Sequence, residues 1–356
     1  MPFTNINKSS DHFNTITHGG TGSSQSITGV GHSPDWCWIK NYTSGSNYDH
    51  HLYDVIRGVT KMISSNNTDA EVTKSDGLTA FGSDGFTVGS DNGVNSNGST
   101  VVSWNWNANG AGSSNSDGSI TSTVSANTTA GFSIVKWTGD GNTSATIGHG
   151  LGAKPAWIVA RDYQQGKHTF VYHQGIADNY ALTLNGTDEQ KTGNSYWGSG
   201  SIMKSASSPN ATTFSFNGSG STVTNINQNG YTNIAYCFVE KPGFSKFGYN
   251  YLGNNNADGR FCYTGFAPKL VILKRITAVE DWFMYDRVRD PINEADSRLK
   301  PNSNVKDATN AGLDFLSNGF KIRSTTAAFN SDETMIFIAF ADAPLVGSNN
   351  IPCVAR

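Results

Sequence analysis

Apolar and polar residues alternate over 11–18, 131–137 and 246–251. Alternation marks a strand with one buried face. After each comes a glycine turn (Gly19 to Gly22, Gly139 to Gly141, Gly253) and a short returning segment, so an opening hairpin is predicted three times. A proline then leads into a nearly continuous apolar run. Pro34 precedes 36–39, Pro155 precedes 157–160, and Pro268 precedes 270–273. Proline has no N–H to give to a ladder, which suits the start of a strand. An unbroken apolar run suits a strand covered on both faces. The runs close on Lys40, Arg161 and Lys274.

A polar turn leads next to a Tyr-Asp strand, 52–54 in the first stretch, 170–173 in the second and 282–286 in the third. A weak Leu/Met segment follows, then a variable loop, longest around 188–209. The stretch ends on a Gly-Phe hairpin, with strands at 85–88 and 100–106 in the first copy. Its turn holds Asn97 and Gly98, and Asn229 and Gly230 in the second copy, a pair that supplies positive φ at low cost. The third copy has Ser331 and Asp332 there, a poorer turn.

The same marks therefore occur three times. The predicted fold is all-β, three tandem β-sandwich (jelly-roll or lectin-like) repeats at 11–108, 131–241 and 244–343. About seven short strands with Gly/Asn turns per copy is the pattern of such sandwiches. Residues 109–130 are rich in Gly, Ser, Thr and Asn without an aromatic, and read as a linker or an extended crossing arm. Residues 344–356 read as a C-terminal tail that orders by docking on a neighbour. Helix is predicted to be scarce, one turn at most over 304–310.

Composition supports a folded chain. Charged residues are only 15%, against about 25% in an ordinary domain. Yet 19 Phe, 13 Tyr and 8 Trp recur at regular intervals and can bury large areas. A net charge of −3 with no basic run excludes a phosphate-neutralising surface, so no nucleic-acid partner is predicted. The longest apolar run, 335–341, is far short of the roughly 20 residues of a membrane span. The first eight residues have no apolar core or cleavage site, so no signal peptide is predicted. Cys37, Cys237, Cys262 and Cys353 form no CxxC pair and read as buried free thiols of a reducing compartment.

Chemistry is sparse. The adjacent acids at 188–189, 280–281 and 332–333 point to opposite sides of the chain and read as surface turns, not as the facing carboxylates of a glycosidase. The histidines His50, His51, His149, His168 and His173 lack further ligands in any metal spacing. No catalytic residue, cofactor or metal is predicted. Asp54 with Arg57, and Asp286 with Arg289, recur at one position, whereas the second copy has His173 and no arginine. On a strand, residues three apart face opposite ways, so each is expected to meet a partner on another strand or chain in a structural role. Trp197, with Tyr196, lies in the variable loop and is the tryptophan best placed to meet a glycan or partner at the surface.

These marks occur together elsewhere. The proline-led hydrophobic run closed by Lys or Arg, the Tyr-Asp-x-x-Arg strand, the Asn-Gly-Phe of 318–320 and the closing 336–342 resemble a repeat module of virion proteins from marine bacteriophages such as cyanophages. The tail over 346–356 is similar to the ends of such proteins. The resemblance implies a non-enzymatic virion structural protein, exposed on the particle, of tail-fibre or host-attachment type or decorating tail or capsid. It implies assembly in the host bacterial cytoplasm, with further copies of the chain (a trimer or ring) and other virion proteins as partners. The other reading is a lectin-like protein or depolymerase acting on host-surface glycan.

Overall fold

The computed structural model describes residues 4–192, 201–202, 208–217 and 225–344. Among these residues the fold is all-β, built from antiparallel strands, with one-turn α-helices at Asn92–Asn95 and Ala327–Asn330. In the first stretch the opening strand Phe13–Gly19 pairs with the closing strand Thr100–Trp106. The closing strand pairs with the proline strand Trp36–Asn41, and that with the Tyr-Asp strand His51–Asp54. The order opening, closing, proline, Tyr-Asp is found again in Phe132–Thr138, Thr232–Phe238, Trp157–Asp162 and Phe170–His173. It is found also in Ser245–Leu252, Thr334–Pro344, Phe266–Arg275 and Trp282–Asp286. Registers correspond. Trp36 lies opposite Trp106 and Asp54, Trp157 opposite Phe238 and His173, and Leu270 opposite Phe340 and Asp286.

A smaller sheet accompanies each large one. Gln25–Thr28, Gly85–Val88 and Leu78–Gly82 form the first. Thr146–Gly148, Thr213–Asn217 and Ser201–Ile202 form the second. Phe261–Tyr263, Gly319–Arg323, Ala308–Leu316 and Ala295–Arg298 form the third. The side-chain period of two then explains the unbroken apolar run. Cys37 and Ile39 pack with Ile27, Leu78, Phe86 and Val88 of the small sheet. Their neighbours Trp36 and Trp38 point the other way, into a core shared with the second and third stretches.

That shared core is aromatic. Trp36 stacks on Tyr236 at 4.2 Å between ring centroids and on Trp106 at 4.5 Å. Phe238 stacks on Phe132 at 4.7 Å and on Trp157 at 4.8 Å. Phe340 closes the circle, 4.9 Å from Phe13, 5.5 Å from Trp106 and 6.0 Å from Phe247. Residues far apart in sequence thus share one buried cluster, and truncating any of these rings to alanine is of the class that costs about 3–5 kcal/mol.

Three expectations need correction. The predicted hairpins are crossings between sheets. Phe13–Gly19 and Gln25–Thr28 lie in different sheets, and so do Gly85–Val88 and Thr100–Trp106. The second crossing is made by the helical turn Asn92–Asn95, capped by Asp91, whose carboxylate accepts from the Gly93 N–H. The supposed linker is part of a sheet. Ser122–Asn127 pairs with Phe132–Thr138, and Ser113–Asn115 pairs with Ser122–Asn127. Its Ser, Thr and Val content suits strands near the edge of a sheet even without aromatics. The turn expected over 304–310 is not helical, since Ala308–Leu316 is a strand. Residues 345–356, and Trp197 and Tyr196, lie outside the described residues.

Candidate functional site

The polar groups that organise the molecule sit where the large sheets meet. Four residues further along a strand, a side chain returns to the same face. Lys40, Arg161 and Lys274 therefore share the face of Trp36, Trp157 and Leu270 and enter the seams between stretches. All three are buried. Among the described residues none is bonded to a carboxylate. Lys40 donates to the Tyr48 carbonyl and, at 2.8 Å, to that of Asn304 in the third stretch. Arg161 donates to the carbonyls of Ser64 (2.9 Å) and Asp69 (2.7 Å) in the first stretch, and to Lys167. Lys274 donates to the Glu280 carbonyl and, at 3.0 Å, to that of Thr187 in the second stretch. First reaches third, third reaches second, second reaches first, and the circuit is closed.

Burial without a bonded anion weakens the charge of these groups. It pulls Lys40 and Lys274 down to about 8, only partly offset by the Asp49 carboxylate for Lys40 and by Glu280 and Asp281 for Lys274. Burial, then the nearby Arg57 guanidinium, lowers Arg161 to about 10. A backbone bond crosses each seam as well, donated in the opposite cyclic sense to the cations. The Glu71 N–H donates to the Tyr163 carbonyl at 2.7 Å, Gln190 to Ile276 at 3.0 Å, and Asp307 to Tyr42 at 3.2 Å.

The Asp/Arg pairs belong to these seams, but not in the arrangement the spacing suggests. Each aspartate is the last residue of its strand, and a turn follows. Asp54 accepts from the N–H groups of Ile56 and Arg57, which bends the chain so that Arg57 Nε reaches Asp54 Oδ2 at 2.6 Å. Asp286 and Arg289 do the same at 2.7 Å. The partners are thus each other, because the turn cancels the strand geometry that would separate them. Each arginine then takes a second carboxylate at 3.0 Å, Glu71 for Arg57 and Asp307 for Arg289. Each also lies over a tyrosine of the adjoining stretch, Arg57 over Tyr163 and Arg289 over Tyr42. Tyr236 adds a hydrogen bond to Asp54 Oδ2 at 2.8 Å. At the seam between the second and third stretches, Ile176 of the second and Ile276 of the third stand at the places of Arg and Tyr, and both are buried in the shared apolar cluster. The missing charge pair is replaced by apolar packing at both positions together.

A polar cleft of about 500 Å³ opens where the first stretch meets Asn304 of the third, lined by Tyr48, Asp49, His51, Lys74 and Asp91. Two of its acids, Asp49 and Asp91, are already engaged. Asp49 accepts from the amides of Asn66 and Asn67, and Asp91 pairs with Lys74 at 2.9 Å. Burial pushes Asp91 up, but His51 and Lys74 outweigh it and hold the carboxyl below its ordinary range. The arrangement suits hydrogen bonding to a polar ligand. Among the described residues no group of three His, Cys, Asp or Glu is placed to hold a metal ion. Trp36, Trp38, Trp104, Trp106, Trp137, Trp157 and Trp282 are all buried. Sequence reasoning missed the seam cations, although their recurrence at the end of each proline strand was visible.

No helix among the described residues is long and apolar enough to cross a membrane. No curated protein and no solved structure matches the chain. A family described as a domain of unknown function, DUF7483, matches over residues 8–344, and the chain belongs to that family.

Proposed function

We propose that the chain is a non-enzymatic structural protein of a bacteriophage particle, displayed on its outside, of tail-fibre or host-attachment type or decorating tail or capsid. The observation that carries this reading is the closed circuit of seams. Three large sheets meet in one aromatic core, and each is tied to the next by a buried cation on backbone carbonyls. Such a body resists local opening, which suits a component that must keep its shape outside a cell. The sequence resemblance to repeat modules of marine phage virion proteins supports the same reading. Cys37, Cys237 and Cys262 are buried and free, in keeping with folding in a reducing bacterial cytoplasm before assembly. The partners in this reading are other virion proteins and further copies of the chain.

Purified particles test it directly. Mass spectrometry of gradient-purified virions of a phage encoding this chain, followed by cryo-microscopy, is expected to find it as a stoichiometric, externally placed component. Its absence from the particle would refute the proposal.

A further inference from the structure

We infer that the outer face of the third small sheet is a saccharide-binding platform built on Phe261 and Tyr263. The edge strand Phe261–Tyr263 has its central residue, Cys262, buried, while Phe261 is 45% and Tyr263 55% exposed. The two rings stand two residues apart on one face of the strand. Nothing in the fold calls for aromatics there. The three small sheets can be aligned by register, since Ile27 lies opposite Phe86, Ile147 opposite Phe214, and Cys262 opposite Phe320. The residues at matched positions are the exposed Ser26 and Thr28 in the first sheet, and the half-buried Thr146 and buried Gly148 in the second. Only the third sheet carries rings at both places, at the cost of leaving them in water. The strand opposite helps to present them. A Cβ on Gly319 would come within 2.9 Å of the Phe261 ring, so the missing side chain leaves room for the ring over the sheet.

Polar groups stand on the same face. Lys321 lies opposite Phe261 in the register, and Arg323 follows two residues on. Lys321 and Arg323 both pair with Asp258, at 2.7 and 3.3 Å, and Arg323 Nε pairs with Asp314 at 2.6 Å. A cleft of about 440 Å³ opens beside them, lined by Asp258, Asn293, Glu294, Asp314 and Arg323. Asp258 is 75% exposed, so its oxygens can accept further bonds from a ligand. An exposed apolar patch flanked by carboxylates and a fixed guanidinium matches the two sides of a pyranose. The C–H face lies on the rings, and the hydroxyls reach the charged groups. A protein partner would be expected to cover a broader apolar area than two rings. The inference is independent of where the chain sits on a particle.

The test uses the isolated full chain on an array of neutral and acidic oligosaccharides together with purified bacterial lipopolysaccharide. The double variant Phe261→Ser with Tyr263→Thr copies the first small sheet at these positions and is expected to fold. Wild type is expected to bind at least one class of saccharide, and the double variant to lose at least tenfold in affinity with an unchanged circular dichroism spectrum. Should the double variant not fold, Tyr263→Thr alone is expected to show a loss of the same direction. Absence of binding by wild type, or equal binding by a folded variant, would overturn the inference while leaving the particle reading untouched.

Discussion

Single residues decide how the seams are held. Lys40 and Lys274 are long enough to cross a seam and still donate to two carbonyls, and they do so at the cost of burying a charge. The unfolded chain keeps the Lys40 proton up to about 10.5, whereas the folded chain releases it at about 8. Between those values the unfolded state binds more protons, so the Lys40 contribution to stability rises with pH and falls away as pH drops through 8. Relative to Lys40→Met, which cannot titrate, wild type is expected to gain roughly 2–3 kcal/mol between pH 8 and 10.5. Urea midpoints of both proteins across that range measure it. Parallel profiles would show that Lys40 does not titrate on folding. The Asp/Arg pairs teach the complementary lesson. Their recurrence was legible at Asp54 and Arg57, but the mutual bond was not, because the turn that joins them depends on side-chain acceptance at Asp54 Oδ1.

Elements show how far periodicity reaches. The proline strands were legible as covered on both faces, and every residue of Trp36–Asn41 and Trp157–Asp162 is buried. Strand pairing was not legible in the same way. A glycine turn between two apolar segments reads as a hairpin, yet here such turns carry the chain from one sheet to the other, and sequence spacing does not distinguish the two outcomes. The region 109–130 misled for a related reason, since strands near the edge of a sheet need few large apolar residues. Gly85 marks one place where a sheet depends on a single position. Its φ is +150°, and a Cβ there would lie 1.9 Å from the Ile27 carbonyl oxygen on the neighbouring strand. Gly85→Ala is expected to destabilise the protein by at least about 2 kcal/mol. Chemical denaturation measures that loss, and a wild-type midpoint would contradict the strand contact.

At the scale of the whole molecule, the three stretches act on one another in a cycle. The sequence contains the recurring marks, but the residues that close the cycle are not neighbours in sequence. Tyr236 bonds Asp54, Asn304 receives Lys40, and Ser64 receives Arg161. The second stretch departs from the others in its charges, and the departure is compensated across a seam by Ile176 and Ile276, which no reading of one stretch alone would reveal. Because every large sheet leans on both others, none should open by itself. Hydrogen exchange with mass spectrometry on the native protein tests this most directly, by comparing the opening free energies of Trp36–Asn41, Trp157–Asp162 and Phe266–Arg275. One shared value for the three strands is the predicted result. Three values, or one strand exchanging through an opening far less costly than the others, would contradict a closed ring.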